Sequence, residues 1–220
     1  MSVSSSVSLT TAPIALKRLG LIDYEMAWTM QREFHQEIAD GNRPNTLLLL
    51  EHPPVFTAGR RTLDSERPID GSRVIDVDRG GKITFHGPGQ IVGYPIVKLR
   101  DQHDVVGFVR QIETALIKVC EEFGIKSERY CERSGVWIRD ANRDRKIAAI
   151  GIRVAKGVTM HGFALNVDPD LSYYDRIVPC GIPDAGVTSL ANELNRKIEI
   201  EEVTPVLERH IFEALAKVSI

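Results

Sequence analysis

The sequence predicts a mixed or antiparallel α+β sheet in one domain, and three observations support this fold class. Strand-like segments follow one another as hairpins, whereas helical segments stand at the two ends of the chain and once in its middle. No internal repeat and no long linker divides the 220 residues. With 43% hydrophobic residues, a chain of this length can bury one substantial core.

The chain begins with a Ser- and Thr-rich segment that is followed by a helix. Residues 1–13 lack the basic and apolar blocks of a secretory signal, so we expect a disordered tail there and a domain over 14–220. Asp23 then caps a helix that runs to about Asp40, because apolar side chains recur there at helical spacing.

Short apolar segments bounded by Gly, Pro, Asn or Asp predict the strands. They lie at residues 46–50, 74–77, 91–99, 135–138, 146–154 and 161–167. The polar stretch 140–145 indicates a hairpin between two of them. Pro53-Pro54 should lead the chain into a loop at Thr57–Arg61.

The clearest helix begins at Asp104 and closes at Gly124, with apolar residues repeating at three and four positions. Two further helices are predicted at 188–196 and 201–218. Cys120 lies beside the apolar stripe of the central helix, which indicates a cysteine in the core.

Composition excludes several classes of function. The formal net charge of -2 and the pI near 6.3 argue against nucleic acid or an anionic membrane surface as a partner. No apolar segment approaches the roughly 18 residues that span a bilayer. Cys120, Cys131 and Cys180 form no C-x-x-C pair, which argues against a metal site and indicates a reducing, cytoplasmic compartment.

A glycine-rich segment, Arg79–Gln90, is the first candidate site. It places four glycines and a proline around Arg79, His86 and Gln90. Glycine lets another molecule approach the backbone closely, so this composition predicts a binding loop. The alternative is a glycine-rich hairpin in which His86 is an ordinary turn histidine.

Cys180, between Pro179 and Gly181, is the candidate nucleophile, because neither a helix nor a central strand is expected there. A nearby cation would raise the reactive thiolate fraction of such a thiol. Lys146, which opens an apolar strand with small residues after it, is the candidate cation. His161-Gly162, next to an apolar strand, repeats the histidine and glycine of the first segment. The alternatives are a packed loop cysteine, a lysine that reaches solvent and, for His161, a structural histidine.

Four segments taken together resemble the lipoyl(octanoyl) transferases. They are Arg79–Gln90, Lys146–Gly151, His161–Asn166 and Pro179–Gly181, and the match extends from the first helix to the C-terminal helices. The resemblance implies the fold of lipoate and biotin protein ligases, in which helices flank a larger mixed sheet and a smaller one. Cys120 and Cys131 belong to no motif of this family.

The resemblance also implies an activity, namely transfer of an octanoyl or lipoyl group from acyl carrier protein to a lysine of a lipoyl domain. The acceptors would be the lipoyl domains of 2-oxo-acid dehydrogenase complexes and the glycine cleavage H protein, and the enzyme would be a monomer without cofactor or ATP. Cys180 would be the nucleophile and Lys146 its activating base. The residues implied to bind the acyl group are Arg79, Gly80, Gly81, Lys82, Ile83, Thr84, Phe85, His86, Ala149, Ile150, Gly151, Gly162, Phe163 and Ala164.

Two other functions fit the same residues. An ATP-dependent lipoate ligase of the same superfamily would need nucleotide and would not need Cys180 as nucleophile. A non-catalytic acyl-binding or carrier-sensing protein would keep the glycine loop and tolerate loss of the thiol. No G-x-x-x-x-G-K-[ST] phosphate loop and no G-x-S-x-G elbow is present in the chain.

Overall fold

The structure, a computed structural model, describes residues 13–130, 133–177 and 185–220. Its strands are β1 (Ala15–Leu21), β2 (Thr46–Glu51), β3 (Val55–Ala58), β4 (Val74–Asp76), β5 (Thr84–His86), β6 (Gln90–Ile96), β7 (Val136–Ile138), β8 (Arg145–Ala155), β9 (Val158–Asn166) and β10 (Gly186–Val187). Its helices are α1 (Tyr24–Ala39), α2 (Val105–Glu122), α3 (Leu190–Leu194) and α4 (Ile200–Val218). The predicted tail at 1–13 lies, except for Pro13, outside the described residues.

The large sheet has the order β1-β2-β6-β9-β8-β10, and β7 also pairs with β8. The β1–β2 and β8–β10 pairs are parallel, and the others are antiparallel. The predicted single α+β domain with a larger mixed sheet is therefore confirmed. The longest strand pairing of this sheet is the β8–β9 hairpin, whose ladder runs from the Ala148–Leu165 pair to the Ala155–Val158 pair.

Helices cover both faces of this sheet. On one face, Phe34 and Ile38 of α1 pack against β2, β6 and β9. On the other face, Ile112 and Leu116 of α2 and Ile211 of α4 pack against the strands in the largest core. Each such fully buried aliphatic side chain contributes about 1.5–3 kcal/mol through removal of its surface from water.

The predicted starts of α1 and α2 are confirmed by the residues that cap these helices. The Asp23 carboxylate accepts hydrogen bonds from the backbone N–H groups of Glu25 and Met26, and the Asp104 carboxylate accepts one from Gly107. Cys120, on α2, is fully buried in the largest core, as expected. Burial raises the pKa of its thiol to about 12, which makes this cysteine unreactive at neutral pH.

The small sheet has the order β4-β3-β5 and corrects one prediction. The predicted loop at Thr57–Arg61 begins with the last two residues of β3, a fully buried strand. This strand pairs with β4 on one side and with β5, which lies inside the glycine-rich segment, on the other. Four residues carry too little local pattern to signal a strand, and pairing with two distant segments stabilises it.

Further differences from the sequence prediction include one strand and the bounds of two elements. Strand β1, which was not predicted, pairs with β2 at the edge of the large sheet. Strand β9 begins at Val158, three residues before the predicted start, because Lys156 and Gly157 form a tight turn with positive φ. Helix α3 is shorter than predicted and ends at Asn195, whose φ of 50° is left-handed. Across the described ranges, none of the helices has the length and apolar character needed to cross a bilayer.

Candidate active site

A cavity of about 270 Å³ lies beside the β8–β9 hairpin, where the large sheet meets the small sheet and the glycine-rich segment. This volume is near the lower end of the range for small-molecule sites, about 300 Å³. Twelve of the residues predicted for the site line it: Arg79, Gly81, Lys82, Thr84, His86, Lys146, Ala149, Ile150, Gly151, Gly162, Phe163 and Ala164. Three distant segments of the chain thus converge on one cavity.

Three of the predicted binding residues do not line the cavity. Ile83 and Phe85 are fully buried and pack into the core of the small sheet, where the Phe85 ring stacks on Tyr173 at 4.4 Å between centroids. The Gly80 N–H donates to the Ile152 carbonyl at 2.9 Å, which ties the glycine-rich segment to β8. These residues therefore stabilise the segment that forms the cavity wall and do not contact the cavity themselves.

Cys180 and Cys131 lie outside the described residues, and so does the turn predicted around Pro179 and Gly181. The residues on both sides of that segment pack against the small sheet. Ile177 is buried in the small-sheet core, and Val187 packs against the same core. Val187 is also the register partner of Lys146, through the parallel β10–β8 pair.

Strand β8 contains a β-bulge next to Lys146. The single step from Val136 to Trp137 on β7 faces two steps on β8, from Ala148 to Lys146. The extra residue is Ile147, and its side chain packs in the same core as that of Ala148. Consecutive residues of a regular strand point to opposite faces, so the bulge reverses the alternation at this point.

The bulge decides which way Lys146 faces. Lys146 lies three positions before Ala149 and five before Gly151; because both numbers are odd, regular alternation would put it on the opposite face of the sheet. With the extra residue, Lys146 lines the same cavity as both small residues. Bulges are frequent beside active sites because they redirect a side chain in this way.

The Lys146 ammonium is held in a sheltered position. The side chain is only 8% exposed, and its Nζ lies 4.5 Å from the centroid of the buried Trp137 ring. A cation over the face of an indole is attracted by the ring quadrupole. A Cβ at Gly135 would lie 3.4 Å from the Lys146 Cε, so the backbone also approaches the stem closely.

Arg79 forms a rigid part of the cavity wall. Its Nη1 donates to the carbonyls of Gly80 and Lys82, at 3.0 and 2.8 Å. Its Nη2 donates to the Thr57 carbonyl and Oγ1, at 2.8 and 2.9 Å. The guanidinium therefore joins the glycine-rich segment to β3. A Cβ at Gly151 would lie 3.0 Å from the Arg79 Cδ, so the arginine stem also rests against β8.

A chain of hydrogen bonds connects His86 to the strand that bears Lys146. The His86 Nδ1–H donates to Gln90 Oε1 at 2.7 Å, and Gln90 Nε2 donates to Asn166 Oδ1 at 2.8 Å. Asn166 Nδ2 donates to the Thr188 carbonyl, and the Thr188 N–H donates to the Lys146 carbonyl, both at 2.9 Å. The motif residues His86, Gln90 and Asn166 thus brace the site.

Two neutral histidines lie together at the cavity wall: His86 lines the cavity, and the His52 ring lies 5.7 Å from the His86 ring between centroids. The His52 Nδ1–H donates to the Ile22 carbonyl at 2.7 Å, which leaves Nε2 to accept from the Tyr94 hydroxyl at 2.8 Å. Burial lowers the pKa of His52 to about 4. Burial, and then the neighbouring His52, lower the pKa of His86 to about 3. Both rings are therefore uncharged at neutral pH.

His161 pairs with Ile152 in the middle of the β8–β9 ladder, six positions along β8 from Lys146. It has a φ of 59°, unusual for a residue other than glycine, and its N–H donates to Gln31 Oε1 at 2.9 Å. Its Nε2 lies 2.7 Å from the Asp78 carboxylate. That hydrogen bond lowers the pKa of Asp78, while burial lowers the pKa of His161.

Besides Tyr94 and His161, four lining residues were not among the predicted site residues: Tyr24, Arg61, Arg133 and Ser134. Tyr24 starts α1, and burial raises the pKa of its hydroxyl to about 12. No local sequence signal distinguishes these residues from ordinary surface or core positions. In the described part of the chain, no group of three His, Cys, Asp or Glu residues could hold a metal ion.

Comparisons with known proteins find a matching family and similar proteins. Residues 23–212 match the family described as "Lipoyl protein ligase A/B catalytic domain". The chain is 57% identical over 207 residues to the octanoyltransferase of Salinispora arenicola, covering 93% of this chain and 97% of that protein. It is 55% identical over 215 residues to the octanoyltransferase of Mycolicibacterium gilvum, covering 97% and 90%.

Solved structures show the same fold at low sequence identity. A bi-partite lipoate protein ligase from Thermoplasma acidophilum superposes with a TM-score of 0.70 at 18% identity, covering 91% of this chain and 83% of that one. A biotin protein ligase from Aquifex aeolicus superposes with a TM-score of 0.54 at 14% identity, covering 92% and 71%.

Two glycines of the site should respond differently to substitution. A Cβ at Gly162 would lie 2.1 Å from the Gly93 carbonyl oxygen, whereas one at Gly80 would lie 3.4 Å from its nearest neighbour. We expect Gly162→Ala to lower the free energy of unfolding by at least about 2 kcal/mol through overpacking. Gly80→Ala should lower it by less than about 1 kcal/mol. Equal losses in urea unfolding would contradict this packing role of Gly162.

The buried histidines predict a specific loss of stability in acid. Unfolded histidine has a pKa near 6.5, so above that pH neither state is protonated and stability is constant. As the pH falls from 6.5 towards 4 for His52 and 3 for His86, only the unfolded chain binds the proton, and the free energy of unfolding decreases.

Unfolding followed as a function of pH checks this expectation. His52→Gln should flatten the slope between pH 6.5 and 4, because one proton-binding difference between the states is removed. His103→Gln, at an exposed position, is the matched control and should leave the slope unchanged. A slope that is the same in wild type and His52→Gln would show that His52 does not cause it.

Proposed function

The chain belongs to the lipoyl protein ligase A/B catalytic-domain family and is an acyltransferase of protein lipoylation, and we propose that it works through a Cys180 thioester. The donor is octanoyl- or lipoyl-acyl carrier protein. The acceptor is a lysine of a lipoyl domain, in the 2-oxo-acid dehydrogenase complexes or in the glycine cleavage H protein. We further propose a cytoplasmic monomer that needs no ATP and no cofactor.

The observation that carries the proposal is the position of Lys146. The bulge at Ile147 turns this lysine into the cavity, beside the small residues that leave room for an acyl chain. Val187, seven positions after Cys180, is its register partner. A chain of seven residues spans at most about 25 Å, and the proposal requires the Cys180 thiol to lie beside the Lys146 ammonium.

In the first step, the Cys180 thiolate attacks the carbonyl carbon of the octanoyl thioester. A bond forms between the cysteine sulfur and the acyl carbon, and the bond to the carrier sulfur breaks. The Lys146 ammonium stabilises the attacking thiolate and gives its proton to the departing carrier thiolate. One thioester replaces another, so the step is close to energetic balance.

In the second step, the acceptor lysine amine attacks the Cys180 thioester. Neutral Lys146 takes a proton from that amine as the C–N bond forms, and the cysteine leaves as thiolate. The products are the amide on the acceptor lysine and the Cys180–Lys146 pair in its starting charge state. Amide formation from a thioester is downhill, so no nucleotide is required.

The acyl chain itself supplies binding energy and little length selection. Burial of a methylene is worth about 0.8 kcal/mol, so an octanoyl chain contributes on the order of 5 kcal/mol. Each added carbon then changes affinity only about fourfold, which is insufficient for strict selection. The buried rings of Tyr24, His86 and Tyr94 line the cavity and limit the chain physically.

Two competing functions make different demands. An ATP-dependent lipoate ligase would transfer octanoate only with nucleotide and would release pyrophosphate. A non-catalytic acyl-binding protein would bind octanoyl thioesters without transferring the group. The octanoyltransferases among the relatives, at 52–57% identity, favour transfer without activation by ATP.

Intact mass after mixing with octanoyl-acyl carrier protein tests the mechanism. We expect one octanoyl adduct on Cys180 that hydroxylamine removes, formed without ATP, because a thioester is already activated. Cys180→Ala should form no adduct, and Cys120→Ala should behave as wild type, since that thiol is buried with a pKa of about 12. An adduct that requires ATP, or one on Cys120 or Cys131, would overturn the proposal.

Lys146→Met tests the proton-transfer role. We expect transfer to slow at least about 100-fold, the usual contribution of a positioned acid–base group. Alkylation of Cys180 by iodoacetamide near pH 7 should slow as well, because the thiolate loses its cation. Lys126→Met, at an exposed position, is the control and should retain both rates. Unchanged alkylation in Lys146→Met would remove this lysine from thiolate activation.

A further inference from the structure

The cavity has more positively charged side chains than binding of an uncharged octanoyl thioester requires. Five cationic side chains line it: Arg61, Arg79, Lys82, Arg133 and Lys146. Among its described lining residues there is no Asp or Glu. The acyl chain and the thioester are uncharged, so they do not account for a positive cavity. A low-polarity cleft with cations on its wall concentrates an anionic partner.

Three of these cations interact with other groups of the protein or have a role in the proposed reaction. Arg79 donates to backbone carbonyls and to Thr57. Lys82 forms an ion pair with the buried Glu66 carboxylate. Lys146 lies over the Trp137 ring and is the proposed acid–base group. Arg61 and Arg133 remain, and both are exposed at the open side of the cavity.

Arg61 is held in place by its backbone, while its side chain faces the opening. Its N–H donates to the Gly81 carbonyl, and the N–H of Arg60 donates to the Arg79 carbonyl, both at 3.1 Å. A Cβ at Gly59 would lie 2.5 Å from the Gly81 oxygen, so this turn packs tightly on the glycine-rich segment. Within the described ranges, no carboxylate forms a salt bridge with the Arg61 guanidinium.

Arg133 provides a second cation on the same cavity. Its guanidinium lies 5.6 Å from the centroid of the Tyr130 ring, and its charge contributes to the lowered pKa of Asp144. The Tyr130 hydroxyl donates to that same carboxylate and is the main cause of its lowered pKa. Asp144 therefore has a closer partner, and Arg133 keeps donors that can face a ligand.

We propose that Arg61, assisted by Arg133, binds the phosphate of the phosphopantetheine arm that presents the octanoyl thioester. This role rests on the proposed function. The arm is the part of the donor that must enter the cavity together with the acyl group, and its phosphate is its only anionic group. A planar guanidinium matches phosphate oxygens with two parallel hydrogen bonds. Arg60 does not line the cavity and has no part in this site.

Two small donors isolate the phosphate from the carrier protein. Octanoyl-phosphopantetheine and octanoyl-pantetheine differ only in that group, and the rate of octanoyl loading on the enzyme is measured by intact mass. We expect wild type to load the phosphorylated donor with at least about tenfold higher kcat/KM at low salt, as charged hydrogen bonds of this kind give. The preference should shrink as salt is raised.

The variants assign this preference to a residue. Arg61→Ala should bring the ratio between the two donors below about two, by slowing only the phosphorylated one, and Arg133→Ala should reduce it partly. Arg60→Ala is the matched control, an adjacent exposed arginine, and should keep the wild-type ratio. Loading of octanoyl-pantetheine should be equal in all four proteins.

Two results would overturn the phosphate site. One is equal use of both donors by wild type. The other is an Arg61→Ala defect that appears only with whole octanoyl-acyl carrier protein, which would assign Arg61 to acidic side chains of the carrier. Failure of the proposed function looks different, since no donor would then load Cys180 in any variant.

Discussion

The buried guanidinium of Arg79 is the contact on which the site depends most. Four hydrogen bonds from this guanidinium to described residues join the glycine-rich segment to β3 of the small sheet, and its stem rests on Gly151 of the large sheet. Three parts of the fold that are distant in sequence therefore share one rigid corner. Because a buried charge is costly unless its donors are satisfied, the carbonyls around Arg79 fix both the arginine and the segment that supplies them.

Electrostatics divide the cavity into two regions. At its inner wall, His86 and the adjacent His52 are neutral, because burial opposes their protonation, and each ring has a defined tautomer set by its partner. At the open side, cations dominate and carboxylates are absent from the described lining. An uncharged acyl chain suits the first region and an anionic carrier arm suits the second. The reacting carbonyl would lie between them, near Lys146.

Much of the fold could be predicted from local sequence. Asp23 and Asp104 signal helix starts that the structure confirms, because a carboxylate that caps free N–H groups acts within one turn of the chain. The edge strand β1 and the buried strand β3 could not be predicted in the same way. Their stability comes from pairing with segments far along the chain, and so their own residues carry only a weak pattern.

The sequence by itself identified the segments from which most of the cavity lining comes, since the glycine-rich segment, the Lys146 strand and the His161 strand carry motifs that can be read without a structure. Only the tertiary structure decided which of them share the cavity. It assigned Ile83 and Phe85 to the small-sheet core, and it added Arg61 and Arg133 to the lining. It also decided the direction of Lys146, because the bulge at Ile147 arises from the register between β7 and β8. Register is a property of two paired strands, and one strand's sequence does not contain it.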